Sequence, residues 1–163
     1  MPKLNILKLL SRSDKWYLGS GGPLIWTPPF PQWLDRPGFW DNAAWYDYEL
    51  GPLFTVTLLD DAGKEIQLKP KSRKWNPAFV EQKYEGRMQD SECRIQAKER
   101  KCVLAGEQLA SEIALKNISR KRVTVYFVAW TLQKKSSVEG ANLRDITVEN
   151  ESIHFTREVT HRI

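Results

Sequence analysis

The residue run that most constrains the fold is Val123–Leu132, the longest stretch of β-branched and aromatic residues in the chain. At about 3.3 Å per residue, such a run forms a strand of about 30 Å, long enough to cross a domain. Both of its faces are apolar near the middle, as in strands that are covered on two sides. The run therefore predicts a buried strand, with Trp130 in the core.

A shorter alternating segment, Glu112–Lys116, precedes this run, with Ile113 and Leu115 on one face. Polar turn residues and three successive cations, Asn117–Arg122, separate the two segments. This pattern predicts a β-hairpin with its charges at the tip. A hairpin of this size is only marginally stable alone, so further strands must pair with it.

Short strand patterns recur along the rest of the chain, separated by turn or charged residues. The predicted strands are Trp16–Leu18, Phe54–Leu59 paired with Glu65–Lys69, Phe79–Glu85, Cys93–Ala97, Cys102–Leu104, and Ile146–Val148 paired with Ile153–Thr156. Regular short strands without a convincing amphipathic helix indicate an all-β protein, built as an antiparallel β-sandwich.

Residues 19–52 form an aromatic and proline-rich region. Five of the seven tryptophans fall between Trp16 and Tyr48, and five prolines interrupt residues 23–37. So many prolines argue against a helix or central strand through Ile25–Gly38 and favour a long ordered loop.

Aromatic residues mixed with acids and amides suit sugar recognition, because indole rings cover the apolar faces of sugars while polar groups bind the hydroxyls. The candidate carbohydrate-binding residues are Trp26, Trp33, Trp40, Asp35, Arg36 and Asp41. The competing interpretation is a lid that closes the open end of the sandwich. Exposure of the tryptophans on one rim would favour binding, and burial would favour a scaffold role.

The basic residues occur in three short groups, which give the chain a formal net charge of +5. The groups are Lys69, Lys71, Arg73 and Lys74; Lys98, Arg100 and Lys101; and Arg120, Lys121 and Arg122. Each group falls in a predicted loop or hairpin tip with acids nearby, so solvated turns are favoured over a nucleic-acid surface. No apolar run approaches the ~20 residues of a membrane helix.

Known reaction motifs are absent from the sequence: no GxSxG, HExxH, CxxC or complete phosphate loop is present. No catalytic residue, cofactor or metal site is predicted. Cys93 and Cys102 are expected to be buried thiols, and the N-terminus is a poor match to a signal peptide, so we expect a cytoplasmic protein.

The order of segments resembles a known domain. A strand at Ser111–Lys116, then Asn117-Ile118-Ser119 with a basic turn, leads into the long aromatic strand, and Val148–Arg157 follows downstream. Over Phe54–Arg157 this resembles the N-terminal β-supersandwich domain of bacterial glycoside hydrolases and phosphorylases whose catalytic part is an (α/α)6 barrel.

The resemblance implies that residues 1–163 are a non-catalytic accessory domain, the N-terminal part of a longer bacterial enzyme. Such a domain would pack on the helical catalytic domain of the same chain, and Gly19–Asp41 would help to shape the sugar cleft. Two alternatives stay open at this point. One is a self-contained carbohydrate-binding module, and the other is a structural domain that docks a protein partner through its aromatic loop.

Overall fold

The protein is described by a computed structural model, which covers residues 15, 17–26, 36–45, 48–88, 93–130, 143–150, 152–157 and 160–161. Within these ranges every regular element is a β-strand, so no helix there could cross a membrane. The strands are β1 (Leu18–Gly19), β2 (Leu24–Trp26), β3 (Gly38–Trp45), β4 (Tyr48–Leu59), β5 (Leu68–Asn76), β6 (Phe79–Arg87), β7 (Arg94–Leu104), β8 (Gln108–Asn117), β9 (Tyr126–Trp130), β10 (Leu143–Glu149), β11 (Ser152–Arg157) and β12 (Thr160–His161).

The strands form two main antiparallel sheets and one separate hairpin. The first sheet has the order β1-β2-β3-β4-β12, with β9 also paired to β4. The second sheet is a meander in the order β5-β6-β7-β8, and β10 pairs with β11 alone. The predicted all-β antiparallel sandwich is confirmed.

The core lies where side chains of the first sheet meet the inner face of the second. One apolar cluster contains Leu18, Leu24, Trp26, Phe39, Trp75, Val80 and Val103. A second cluster contains Val56, Leu58, Ile66, Met88, Cys93 and Ile95. Strand β7 contributes to both because its odd-numbered residues are buried from Ile95 to Val103, as the period of two in a strand requires.

The predicted hairpin between residues 111–116 and 123–132 is wrong. Strand β8 pairs with β7 in the second sheet, whereas β9 pairs with β4 in the first. Asn117 turns the chain between them, since its side chain accepts from the Ser119 amide at 2.9 Å and donates to the Lys121 carbonyl at 2.7 Å. Strand pairing over the full length of β7 outcompetes the local hairpin.

The prediction of a buried strand over this run is also wrong in the described part. Tyr126 is 55% exposed and Phe127 50%, while Trp130 is only partly buried. β9 pairs with β4 at the edge of the first sheet, and residues 126–129 are exposed on both of its faces, so neither face is covered along most of the strand.

The prediction of one long loop over residues 19–52 is wrong where the structure describes that region, because β2, β3 and the start of β4 lie in it. Two prolines stand directly before strands, Pro23 before β2 and Pro37 before β3, where they remove no ladder donor. The Pro37 carbonyl instead accepts from Val56 N at 3.1 Å. The remaining prolines before Pro37 lie outside the described residues.

Several local predictions are confirmed. Residues 79–85 lie in β6, and the predicted hairpin near residues 146–156 is β10 with β11. The predicted hairpin of Phe54–Leu59 with Glu65–Lys69 is limited to its turn and the bridge between Leu59 and Glu65, because β5 then joins the other sheet. In this turn the Asp60 carboxylate accepts from Lys64 N at 2.8 Å. Two basic groups expected in loops lie within β5 and β7.

Gly38 provides a test of how closely β3 approaches β4. Its φ is +89°, and an added Cβ would lie 2.7 Å from the Phe54 carbonyl oxygen. We expect Gly38→Ala to lower the free energy of unfolding by about 3 kcal/mol, from left-handed strain and steric overlap together.

Gly63→Ala is the matched control, because Gly63 also has a positive φ, +75°, but no atom within 4 Å of an added Cβ. Its loss should be about 1 kcal/mol, from strain alone. Urea unfolding of both variants measures the difference, and equal losses would contradict the close approach at Gly38.

Candidate functional site

A buried ion pair lies at the centre of the sandwich. Glu99 and Lys101 are two residues apart on β7, so both side chains point to the inner face. Glu99 is 0% exposed and Lys101 1%, and Lys101 Nζ lies 3.5 Å from Glu99 Oε2. Full burial of both charges is rare for these residue types and requires partners for each.

The Glu99 carboxylate accepts three short hydrogen bonds from different strands. Gly38 N donates at 2.6 Å, Ser111 Oγ at 2.7 Å and Tyr84 Oη at 2.8 Å. Donors from β3, β6 and β8 therefore converge on one side chain of β7. This carboxylate ties the first sheet to the second.

Lys101 is satisfied by a mixture of polar and aromatic groups. Its ammonium donates to the Arg36 carbonyl at 3.2 Å and lies 5.0 Å above the Trp26 ring and 5.9 Å from the Phe39 ring centroid. Burial lowers the pKa of Lys101, although the Glu99 carboxylate acts in the opposite direction. The lysine thus fixes the chain that enters β3.

Glu99 and Lys101 are both shielded from solvent, so a substrate could not reach either charged group. The buried ion pair therefore has a structural role. Among the described residues, no group of three or more histidines, cysteines, aspartates or glutamates is placed to hold a metal ion. The buried pair and its donors therefore hold strands together.

The structure describes only some of the predicted carbohydrate-binding residues. Trp26 is 1% exposed and packs edge to face on Phe39, with ring centroids 5.3 Å apart. Arg36 has an exposed side chain, and its carbonyl is bound by Lys101.

Trp40 and Asp41 lie in β3, and only their backbone is described. Trp33 and Asp35 lie outside the described residues. A shared sugar surface of these residues stays a prediction, and the one described tryptophan among them belongs to the core.

The outer face of the second sheet is strongly cationic, a feature that sequence reasoning missed. Nine cations face outward by strand register and ion pairing, against three carboxylates. The cations are Lys69, Lys71, Lys74, Lys83, Arg87, Arg94, Lys98, Arg100 and Lys116, and the carboxylates are Glu81, Glu85 and Glu112. We call this surface the cationic face.

Only part of this positive charge is neutralised by neighbours. Glu81 pairs with Lys98 at 2.9 Å and with Arg100 at 3.4 Å. The hydrogen bond from Lys98 holds the pKa of Glu81 below its ordinary value, and Arg100 adds to this, while burial partly opposes both. Glu85 pairs in the same way with Lys71 and Arg94.

A second exposed surface is apolar and follows β9 at the edge of the first sheet. Tyr126, Phe127 and Val128 are 55%, 50% and 36% exposed. Their backbone pairs with residues 57–59 of β4, and Trp130 Nε1 anchors the strand by donating to Thr57 Oγ1 at 2.8 Å. We call this surface the β9 edge.

Comparison with known protein families, with curated proteins and with solved structures finds no match for this chain.

Breaking the buried pair should be costly. Glu99→Gln leaves the Lys101 ammonium buried without a counter-charge, and we expect a loss of about 3–5 kcal/mol in the free energy of unfolding. The double variant Glu99→Gln/Lys101→Met should lose less than the sum of the two single variants.

Glu81→Gln is the surface control, since it removes ion pairs to Lys98 and Arg100 that are partly exposed. Its loss should stay below about 1 kcal/mol. Denaturant unfolding of the two single variants, the double variant and Glu81→Gln measures the free energy lost in each. If the double variant lost the sum of the two single losses, Glu99 and Lys101 would not stabilise each other.

The lowered pKa of Lys101 also predicts a pH dependence. Between the folded-state pKa and the ordinary value of 10.5, the unfolded chain binds more protons than the folded one. The Lys101 contribution to stability therefore rises with pH over this window. Between neutral pH and pH 10.5, the urea midpoint of the wild type should rise relative to that of Lys101→Met. Midpoints that change in parallel with pH would contradict the lowered pKa of Lys101.

Proposed function

We propose that this chain is a non-catalytic β-sandwich accessory domain of a bacterial, cytoplasmic carbohydrate-active enzyme. In this proposal it packs on a helical (α/α)6 catalytic domain, and the region 19–52 helps to shape the sugar cleft. The proposal combines the resemblance over Phe54–Arg157 with a fold of the expected class.

The β9 edge is the observation that carries the proposal. Three large apolar side chains are exposed on this short edge strand, Tyr126 (55%) and Val128 (36%) on one face and Phe127 (50%) on the other. Clustered exposed apolar residues mark surfaces that associate with other proteins or domains, and aromatic residues are enriched at the centres of such interfaces. A partner domain would cover this edge, as the accessory role requires.

The burial of Trp26 supports the accessory role over a self-contained sugar-binding module. A binding platform needs its aromatic face at the surface, whereas this indole packs against Phe39 and the Lys101 ammonium. Its ring nitrogen also has no hydrogen-bond partner, so what Trp26 contributes is packing.

The two thiols support the cytoplasmic part of the proposal. Cys93 is buried, Cys102 is partly buried, and neither is joined in a disulfide. Reduced cysteines are the normal state of cytosolic proteins, where thiol-based reductants keep disulfides rare.

The interface prediction is tested with Phe127→Lys. A charged side chain at the centre of the β9 edge should weaken association with the separately expressed helical domain by about 30-fold or more, which corresponds to about 2 kcal/mol. Isothermal titration calorimetry measures this affinity. The fold of the variant should be retained, because Phe127 is already 50% exposed.

Leu104→Lys is the matched control, since Leu104 is 44% exposed but lies in the second sheet. It should leave the affinity unchanged. Equal weakening by both variants, or no association of the wild type with the helical domain, would overturn the proposal. Hydrolysis of a glycosidic bond by this chain alone would also do so.

A further inference from the structure

We propose that the cationic face of the second sheet binds an acidic polysaccharide, through its carboxylate or sulfate groups. The cationic face belongs to the second sheet, whereas the strands of the aromatic region belong to the first. It contains none of the predicted sugar-binding residues. The proposal rests on the proposed function in one respect, the choice of a saccharide as the anionic polymer.

The charge of this face exceeds what its own carboxylates neutralise. Nine cations against three carboxylates leave six positive charges on one side of one sheet. Glu81 pairs with Lys98 and Arg100, and Glu85 pairs with Lys71 and Arg94. A sheet face with this charge attracts anions over a distance set by ionic strength.

Two pairs of cations lie directly opposite each other across β6 and β7. Lys83 lies directly opposite Lys98, and Arg87 directly opposite Arg94. Like charges in opposed cross-strand positions destabilise a sheet, whereas opposite charges there would stabilise it. A bound polyanion would turn both unfavourable pairs into favourable contacts.

A groove at one end of the cationic face gives the polymer a place to lie. It has a volume of about 560 Å³. Its charged lining residues are four cations, Lys69, Lys71, Arg87 and Arg94, and two acids, Glu65 and Glu85, of which Glu85 pairs with Lys71 and Arg94. Guanidinium groups bind carboxylates and sulfates through paired hydrogen bonds, so Arg87 and Arg94 suit such groups.

Nucleic acid fits this surface less well. Proteins that bind single strands on a sheet stack bases on exposed aromatic rings. Phe79 is the aromatic residue that the described strands place on this face, and the Arg100 guanidinium covers its ring at 4.8 Å from the centroid. The described strands thus give the cationic face positive charge but no uncovered aromatic ring on which a base could stack. Such a surface favours a polymer that is bound mainly through its anionic groups.

The test compares binding of the whole chain to polygalacturonate, to neutral dextran and to an oligothymidine. Affinity electrophoresis and calorimetry should show binding to polygalacturonate, weakening at least ~tenfold from about 50 mM to about 200 mM salt, and none to dextran. Tighter binding to oligothymidine than to polygalacturonate would replace the polysaccharide with nucleic acid and overturn the proposal.

The decisive variant is Lys83→Glu/Arg87→Glu, which should lose at least ~tenfold in affinity for polygalacturonate. The same change places opposite charges across from Lys98 and Arg94, so its melting temperature should be preserved or raised. Loss of binding together with preserved stability distinguishes a ligand surface from a structural role.

The control is Lys121→Glu/Arg122→Glu, which makes the same change in net charge outside the second sheet. If it weakens binding as much as the sheet variant, binding follows net charge alone and the cationic face is not a site. Neither variant touches the β9 edge, so association with a helical domain tests the proposed function separately.

Discussion

The fold depends on how the chain accommodates a glutamate and a lysine that have no access to water. Taking two charges out of water is expensive, and their mutual attraction offsets this only when hydrogen bonds satisfy the remaining groups. Here Glu99 receives donors from three other strands, and Lys101 reaches a backbone carbonyl and two aromatic rings. Each of these contacts joins β7 to another part of the chain, and those to Gly38 and Arg36 join the second sheet to the first.

Strand β7 links the interior of the protein to its most highly charged surface. Its odd-numbered positions carry the core and the ion pair, and its even-numbered positions carry Arg94, Lys98 and Arg100 outward. Because neighbouring strands continue the same alternation, the cations of β5, β6 and β8 gather on the same side. The three carboxylates on that side offset three of the nine cations, so the face keeps an excess of six positive charges.

The two exposed surfaces lie on different sheets and differ in chemistry. The β9 edge is apolar and short, which suits contact with another folded domain. The cationic face is broad and polar, which suits a solvated polymer held by charge. An accessory domain in an enzyme that acts on a charged polysaccharide would use both, one to hold its catalytic partner and one to hold the chain.

Local patterns in the sequence determined the strands and the close turns: alternation over Phe79–Glu85, the Asp60 turn, and the β10–β11 hairpin all depend on residues near one another. The sequence also indicates the burial of Glu99 and Lys101. If the alternation of Ile95 and Ala97 is continued along the strand, these two residues fall on the core side. Strand pairing was decided only by the tertiary structure, because β8 and β9 were free to pair with each other or with distant strands of greater length. The same long-range choice buried Trp26, exposed Tyr126 and assembled cations from separate strands into one face, and no local pattern records which side of a sheet another sheet will cover.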